Sequence, residues 1–182
     1  MAEFRLATER LALRDWRAED VDDFHRVCGD PQVMATLGPV MSREETAALI
    51  ENVRERAQTF GHTFWALERK DDRRVIGWAG LIRGNIPQTE GELEIGWRLA
   101  ADCWGQGYAR EAAEASLEWA RAHRPGEPVI AITAQTNTRS RALMERLGMA
   151  RRPERDFDHP KVPEGDPLRP HVLYAIDPGA GR

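Results

Sequence analysis

The chain of 182 residues has little of what builds a stapled or metal-held protein. Its two cysteines, Cys28 and Cys103, lie far apart and match neither a disulfide framework nor a metal-ligand spacing. Its five histidines are scattered, with no pair at ligand spacing on a helix, so no metal is expected. No apolar run is long enough to span a bilayer, and the first residues lack the apolar core of a signal peptide. The cytoplasm is therefore the expected compartment. Charge of one sign is also missing. Against 26 Lys and Arg stand 30 Asp and Glu, a net charge of -4, so no basic field points to nucleic acid or to an anionic membrane. Internal repeats and low-complexity tracts are absent as well.

What is present is an ordinary globular balance, 41% hydrophobic and 31% charged, in a length that suits one domain over residues 1–182 with one core. A monomer or a homodimer is expected. Leu11 to Trp16 alternates weakly and reads as a first strand. Val21, Phe24 and Val27 recur at helical spacing, and Ser42 followed by Glu45 is a capping box ahead of an apolar stripe at Leu49, Ile50, Val53 and Ala57. Phe64 to Glu68 and Val75 to Ile82 read as strands joined by the mixed-charge turn Arg69 to Arg74. A strand over 91–99, a helix over 108–122, a strand over 129–136 and a helix over 137–147, stopped by Gly148, follow in turn. Together they make a βαβ unit over about 91–149, whose crossover should be right-handed. Five prolines from Pro153 to Pro170 then mark a long irregular excursion, closed by a strand from His171 to Ile176. That excursion is either an exposed connection or a loop over a substrate.

The turn Cys103-Trp-Gly-Gln-Gly-Tyr-Ala109 joins strand to helix inside this unit. Two glycines let the backbone turn sharply and come close to a ligand. The helix beginning near Tyr108 aims free N–H groups and a positive dipole end at the same spot, a combination that binds phosphate or pyrophosphate. A tight turn holding nothing is the plain alternative. A dinucleotide fingerprint is excluded, because Arg110 stands where its third glycine belongs, and a P-loop is excluded because no Gly-Lys-Ser/Thr follows.

Trp104-Gly-Gln-Gly-Tyr-Ala109 resembles the acyl-coenzyme-A pyrophosphate loop of the GNAT N-acetyltransferases, Gln/Arg-x-x-Gly-x-Gly/Ala, departing at its first position where Trp104 stands. Thr8 to Arg14, Asp30-Pro31, Glu94-Ile-Gly-Trp97 and the segment Asn137 to Met149 resemble the ribosomal-protein N-terminal (alanine) acetyltransferase-like branch of that family, and the likeness spans nearly the whole chain. It implies a mixed α/β fold: a mostly antiparallel sheet, a βαβ acyl-CoA unit, and a V-shaped splay between the fourth and fifth strands. It implies transfer of an acetyl group from acetyl-CoA, as co-substrate, to a primary amine by direct attack. The leading acceptor is the N-terminal α-amine of a protein or peptide. A small amine (amino acid, polyamine or antibiotic) and a non-catalytic acyl-CoA sensor are the alternatives.

Acyl transfer to an amine needs a base, because an α-amino group titrates near pH ~8 and is partly protonated at neutrality. Period-two alternation puts Glu92, Glu94 and Arg98 on one face of their strand, which periodicity alone reads as a solvated face. Two carboxylates two residues apart on one face should raise one another's pKa, and a raised carboxyl is a better base near neutral pH. The family's base position falls on Glu94, with Glu92 second. By the same resemblance, backbone N–H groups from Trp97, Arg98 and Leu99 face the thioester and pantetheine arm, where they would stabilise an oxyanion. Trp104, Gly105, Gln106, Gly107, Tyr108 and Ala109 surround the pyrophosphate. Asn137 is an N-cap by residue type and a pantetheine ligand by resemblance. Ser140 matches the branch's acid, and Met144 stands where many members carry a tyrosine acid. Trp16, Trp65, Trp78 and Trp119 are expected in the core.

Overall fold

A computed structural model describes residues 4–177. In chain order the elements are β1 (Arg5–Ala7), β2 (Leu11–Arg14), α1 (Asp20–Cys28), α2 (Pro31–Met34), α3 (Arg43–Phe60), β3 (Phe64–Arg69), β4 (Val75–Arg83), β5 (Leu93–Leu99), α4 (Tyr108–His123), β6 (Val129–Ala134), α5 (Thr138–Arg146), β7 (Ala150–Arg151), β8 (Phe157–Asp158) and β9 (Pro170–Ile176). Single 3-10 turns lie at Ala101–Cys103 and Pro153–Arg155. The strands form one sheet in the order β1-β2-β3-β4-β5-β6-β9-β7, with β8 also paired to β9. Every pair is antiparallel except β5–β6. This is the mixed fold expected, with one shift in the count. The short β1 makes the expected fourth and fifth strands β5 and β6.

The splay is visible in the register. β5 and β6 pair only at Leu93–Val129 and Glu94–Ile130. Beyond Glu94 β5 has register partners in β4 alone, and β6 continues alongside β9. A parallel pair that separates after two residues leaves a wedge between strands with unpaired backbone groups on both walls.

Local chemistry explains the flanking helices. Ser42 begins α3 with both arms of its capping box, Glu45 N donating to Ser42 Oγ at 3.1 Å and Ser42 N to Glu45 Oε2 at 2.7 Å. Asp30 caps α2 through Gln32 N at 2.8 Å, with Pro31 at the first helical position. α1 packs on β4 and against α3, and α4 packs on the other side of β4 and β5. Trp16, Trp65, Trp78 and Trp119 are all buried in this core. Phe4 stacks on Trp65 at 4.4 Å, and Trp119 meets Trp65 edge-on at 5.4 Å.

The proline-rich excursion is less irregular than its composition suggests. It pairs with β9 at Phe157–His171 and Asp158–Pro170, and His159 N donates to Arg169 O at 2.8 Å. The His159 and His171 rings lie 4.6 Å apart at its base, and burial, with His171 nearby, brings His159 down to about 4. Two neutral imidazoles can pack this closely; two imidazolium ions would repel.

Candidate active site

The first wall of the wedge is β5. Gly84 N donates to Glu92 O at 2.9 Å, and Ala100 N donates to Ile76 O at 2.9 Å. In an antiparallel ladder these bonds fix the alternation: Glu92, Glu94, Gly96, Arg98 and Ala100 turn their backbone groups to β4. Ile95, Trp97 and Leu99 turn theirs into the wedge. The register thus divides the expected donor trio. Trp97 and Leu99 face the gap, whereas the Arg98 amide is directed at Trp78 of β4 and only its side chain is left for other work. The Leu99 carbonyl already accepts the Trp104 indole N–H at 3.0 Å, which pins the glycine turn to the end of β5.

The second wall was not foreseen. Gln135 N donates to Pro170 O at 2.8 Å, so the odd-numbered residues of β6 face β9, and Ile130, Ile132 and Ala134 face β5. Asn137 N takes the Ala134 carbonyl at 2.9 Å. Beyond the last β5–β6 pair, Ile132 offers both of its backbone groups to the gap. A sequence carries no sign of this, since backbone direction follows from register.

At the wide end of the wedge, Gly105 and Gly107 adopt φ of 73° and 85°, conformations that side chains resist. A Cβ built at Gly105 would meet nothing within 4 Å, so this part of the turn borders open space. Gly107 caps α4 without a side-chain bond, leaving the first-turn amides of Tyr108, Ala109 and Arg110 without a capping acceptor. Open space above two glycines and free amides of a 16-residue helix suits a pyrophosphate. Cations surround it. Arg10 Nη1 donates to Gln106 O at 2.9 Å, its guanidinium covers the Tyr108 ring at 4.4 Å, and Arg139 covers Trp104 at 4.3 Å.

The turn is braced from a distance. Glu111, in the first turn of α4, accepts from Thr8 Oγ1 at 2.6 Å, Arg10 N at 2.8 Å and Arg10 Nε at 2.7 Å. Burial alone would raise its carboxyl, but these bonds outweigh burial and hold it below the ordinary range. The Thr8–Arg14 stretch is therefore a brace between the β1–β2 turn and the cofactor loop. A first-turn carboxylate facing a positive helix end was the available signal for Glu111.

Glu94 projects from β5 on the face that carries α1 and α3. It is half-buried and makes no hydrogen bond or ion pair among the described residues. Burial pushes its carboxyl up to about 7; the Glu92 charge adds to the rise, while Arg56 and Lys161 oppose it. The like-charge effect expected from Glu92 is thus present but second to burial. Glu92 itself is held by Arg155, at 2.5 and 3.0 Å, and sits farther from the role of a free base than its spacing suggested. Gly96, next on the same face, leaves room for the Phe64 ring, which a Cβ there would approach to 2.8 Å.

The raised pKa carries a stability consequence. A carboxyl whose folded pKa lies above its unfolded one favours folding while neutral, and that contribution is lost as pH rises through about 7. Glu94→Gln removes the penalty of holding a charge there. The variant should be more stable than the native protein at pH 8 by roughly 1–3 kcal/mol, the gain shrinking as pH falls toward 5. Thermal unfolding of both proteins across that range measures it.

The remaining site candidates cluster at the start of α5. Asn137 caps this helix, its Oδ1 accepting from Ser140 N at 3.2 Å, so the capping role is real; its amide nitrogen makes no bond among the described residues. Ser140 is half-buried in the first turn with its hydroxyl unbonded among the described residues. Met144 is buried in the core. No group of three or more His, Cys, Asp or Glu able to hold a metal occurs among the described residues.

Comparison with known proteins places this geometry. Residues 10–150 match the family model described as acetyltransferase (GNAT) domain. YkkB of Bacillus subtilis (strain 168), an uncharacterized protein, is 28% identical over 149 residues, 81% of this chain and 86% of its own. An acetyltransferase from Agrobacterium tumefaciens str. C58 superposes with a TM-score of 0.76 at 25% identity, covering 97% of this chain and 95% of that one. RimL, a ribosomal L7/L12 alpha-N-protein acetyltransferase solved in complex with coenzyme A, shares the fold with a TM-score of 0.74 at 18% identity, covering 94% and 96%.

Proposed function

The chain belongs to the GNAT acetyltransferase family and is an acyl-CoA-dependent N-acetyltransferase, and we propose that its acceptor is the N-terminal α-amine of a protein or peptide. The carrying observation is Glu94, a half-buried carboxyl brought to about 7 beside the opening between β5 and β6. Acetyl-CoA supplies an acyl carbon activated as a thioester. Glu94, directly or through a water, takes a proton from the incoming ammonium or from the amine as it attacks that carbon. Trp97 and Leu99 amides, on the gap side of β5, stand ready for the oxyanion. When the carbon–sulfur bond breaks, the thiolate leaves as a good leaving group, and Ser140 or water returns a proton to it. The amides of residues 105–109 hold the pyrophosphate, and Asn137 the pantetheine arm.

The peptide acceptor is supported by the segments Thr8–Arg14, Glu94–Trp97 and Asn137–Met149, which resemble the ribosomal-protein branch. The reading places the whole chain, 1–182, in one catalytic domain acting as a monomer or homodimer in the cytoplasm, where its two free cysteines suit a reducing medium. No helix among the described residues is long and apolar enough to cross a membrane.

Acetyl-CoA-dependent thiol release across short peptides with free N-termini and across small amines tests it. Turnover is expected on Ala- or Ser-starting peptides and lost when their N-termini are blocked. Turnover on small amines alone would transfer the activity to metabolites or antibiotics. Binding of acetyl-CoA without turnover on either set would leave a sensor.

A further inference from the structure

The 153–170 excursion is rich in acidic residues, but two of them are tied to arginines. Asp156 pairs with Arg151 at 2.5 Å, Asp158 with Arg169 at 3.3 Å, and Glu92, on the face of Glu94, with Arg155. Of the charges that act on Glu94, Glu92 is thus neutralised by Arg155, and the other two, Arg56 and Lys161, are positive. Arg56 of α3 donates, among the described residues, only to the Arg83 carbonyl, and it lies against the Phe60 ring at 5.7 Å. It also lines a cavity of about 340 Å³ with Phe60, Arg83 and Ile86. The Lys161 side chain makes no ion pair among the described residues, and both it and Arg56 act electrostatically on Glu94.

Arg98 is the clearest case. It shares the Glu94 face of β5, four residues on, roughly 13 Å along the strand. Among the described residues its Nη1 has sulfur acceptors only, Cys28 Sγ at 3.2 Å and Met41 Sδ at 3.9 Å, and its guanidinium covers the Trp78 ring at 4.9 Å. Among the described residues its buried Nε has no hydrogen-bond partner and its Nη2 makes no hydrogen bond. A guanidinium has five donors in a rigid fork matched to a carboxylate. Surrounded by soft partners and half-withdrawn from water, it is short of an anion.

We propose that the acceptor is an N-terminal segment bearing a carboxylate side chain within its first four residues, which Arg98 binds while Arg56 and Lys161 favour the same charge nearer the amine. An extended peptide advances ~3.4 Å per residue, so with its amine at Glu94 its fourth residue lies ~10 Å along, within side-chain reach of Arg98. The inference rests on the peptide reading above and adds to it the charge that the site selects.

Matched peptides with Glu or Gln at position 2, 3 or 4, acetylated by the native enzyme, decide between outcomes. The Glu peptides should show a KM lower by about tenfold, the size of one charge-assisted pair, with kcat little changed and the preference eroding as salt rises. Arg98→Met, which retains length over Trp78, should bring the KM ratio at position 4 close to one. Lys161→Gln, at an exposed site, should reduce it at position 2. Equal KM for Glu and Gln peptides in the native enzyme overturns the inference and leaves the peptide reading intact. A preference that survives both substitutions overturns the assignment to these cations. Failure to turn over any peptide, with acetyl-CoA still bound, overturns the peptide reading and this inference with it.

Discussion

Glu94→Gln should lower kcat by about two to four orders of magnitude, the usual worth of a positioned general base, while acetyl-CoA affinity changes by no more than a few-fold. Binding survives because the backbone of Glu94 is held to Ile82 whatever its side chain, and because the free amides of the glycine turn lie at the other end of the wedge. Catalysis fails because Glu92, the other carboxylate on that face of β5, is tied to Arg155. The pH profile gives the sharper signature. With the Glu94 carboxyl of the free enzyme at about 7, kcat/KM of the native enzyme should rise with pH through about 7. In kcat/KM the amine of the free acceptor adds its own limb near pH ~8. The glutamine variant should keep the amine limb and lose the one near 7. Stopped-time thiol assays from pH 5.5 to 9, with calorimetric titration of acetyl-CoA, separate the cases. A variant that retains native kcat would remove Glu94 from the chemistry.

How much of this could be read from the residues depends on how far apart the cooperating groups lie. Local signals were legible. Ser42 and Glu45 announced α3, and the alanine face after Gly107 announced α4, found over Tyr108–His123 against an expected 108–122. Two-residue strands such as β7 and β8 have no period to detect, and the four residues of α2 are too few to show a stripe. The splay between β5 and β6 came from resemblance and not from pattern, because register between strands 36 residues apart is a tertiary fact. The same divide runs through the site. Alternation placed Glu94 with Glu92 and Arg98, but the partner of Glu92 comes from 63 residues away and the Arg10–Glu111 clamp spans 101. Spacing therefore overstated Glu92 as a neighbouring charge and understated burial as the cause of the raised pKa.

The largest loss of stability is expected from Arg14→Met. Arg14 is 3% exposed, and its guanidinium bonds Glu68 Oε2 at 2.7 Å and both oxygens of Asp20 at 2.7 and 2.8 Å. Asp20 and Glu68 are 4% and 2% exposed, so three charged side chains share one dry site between β2, β3 and the start of α1. Such a group contributes little net stability when complete, since desolvation offsets attraction, but removing one member strands the others. Methionine fills most of the arginine volume, so the loss is electrostatic: two buried carboxylates without their counter-ion, about 3–5 kcal/mol. Arg73, 3.2 Å from Glu68 Oε1, and Arg17, at 3.9 Å, relieve part of this for Glu68. Asp20 has the Arg17 backbone N–H at 2.7 Å as its other donor. That favours the lower half of the range, still a drop of roughly 6–12 °C in Tm for a chain of this length. The control is Arg14→Met with Asp20→Asn and Glu68→Gln, which removes the stranded charges and should recover more than half of the loss. If the single variant melts like the native protein, the triad is solvated in solution. If the triple variant is no better than the single one, the arginine acts through packing and not through charge.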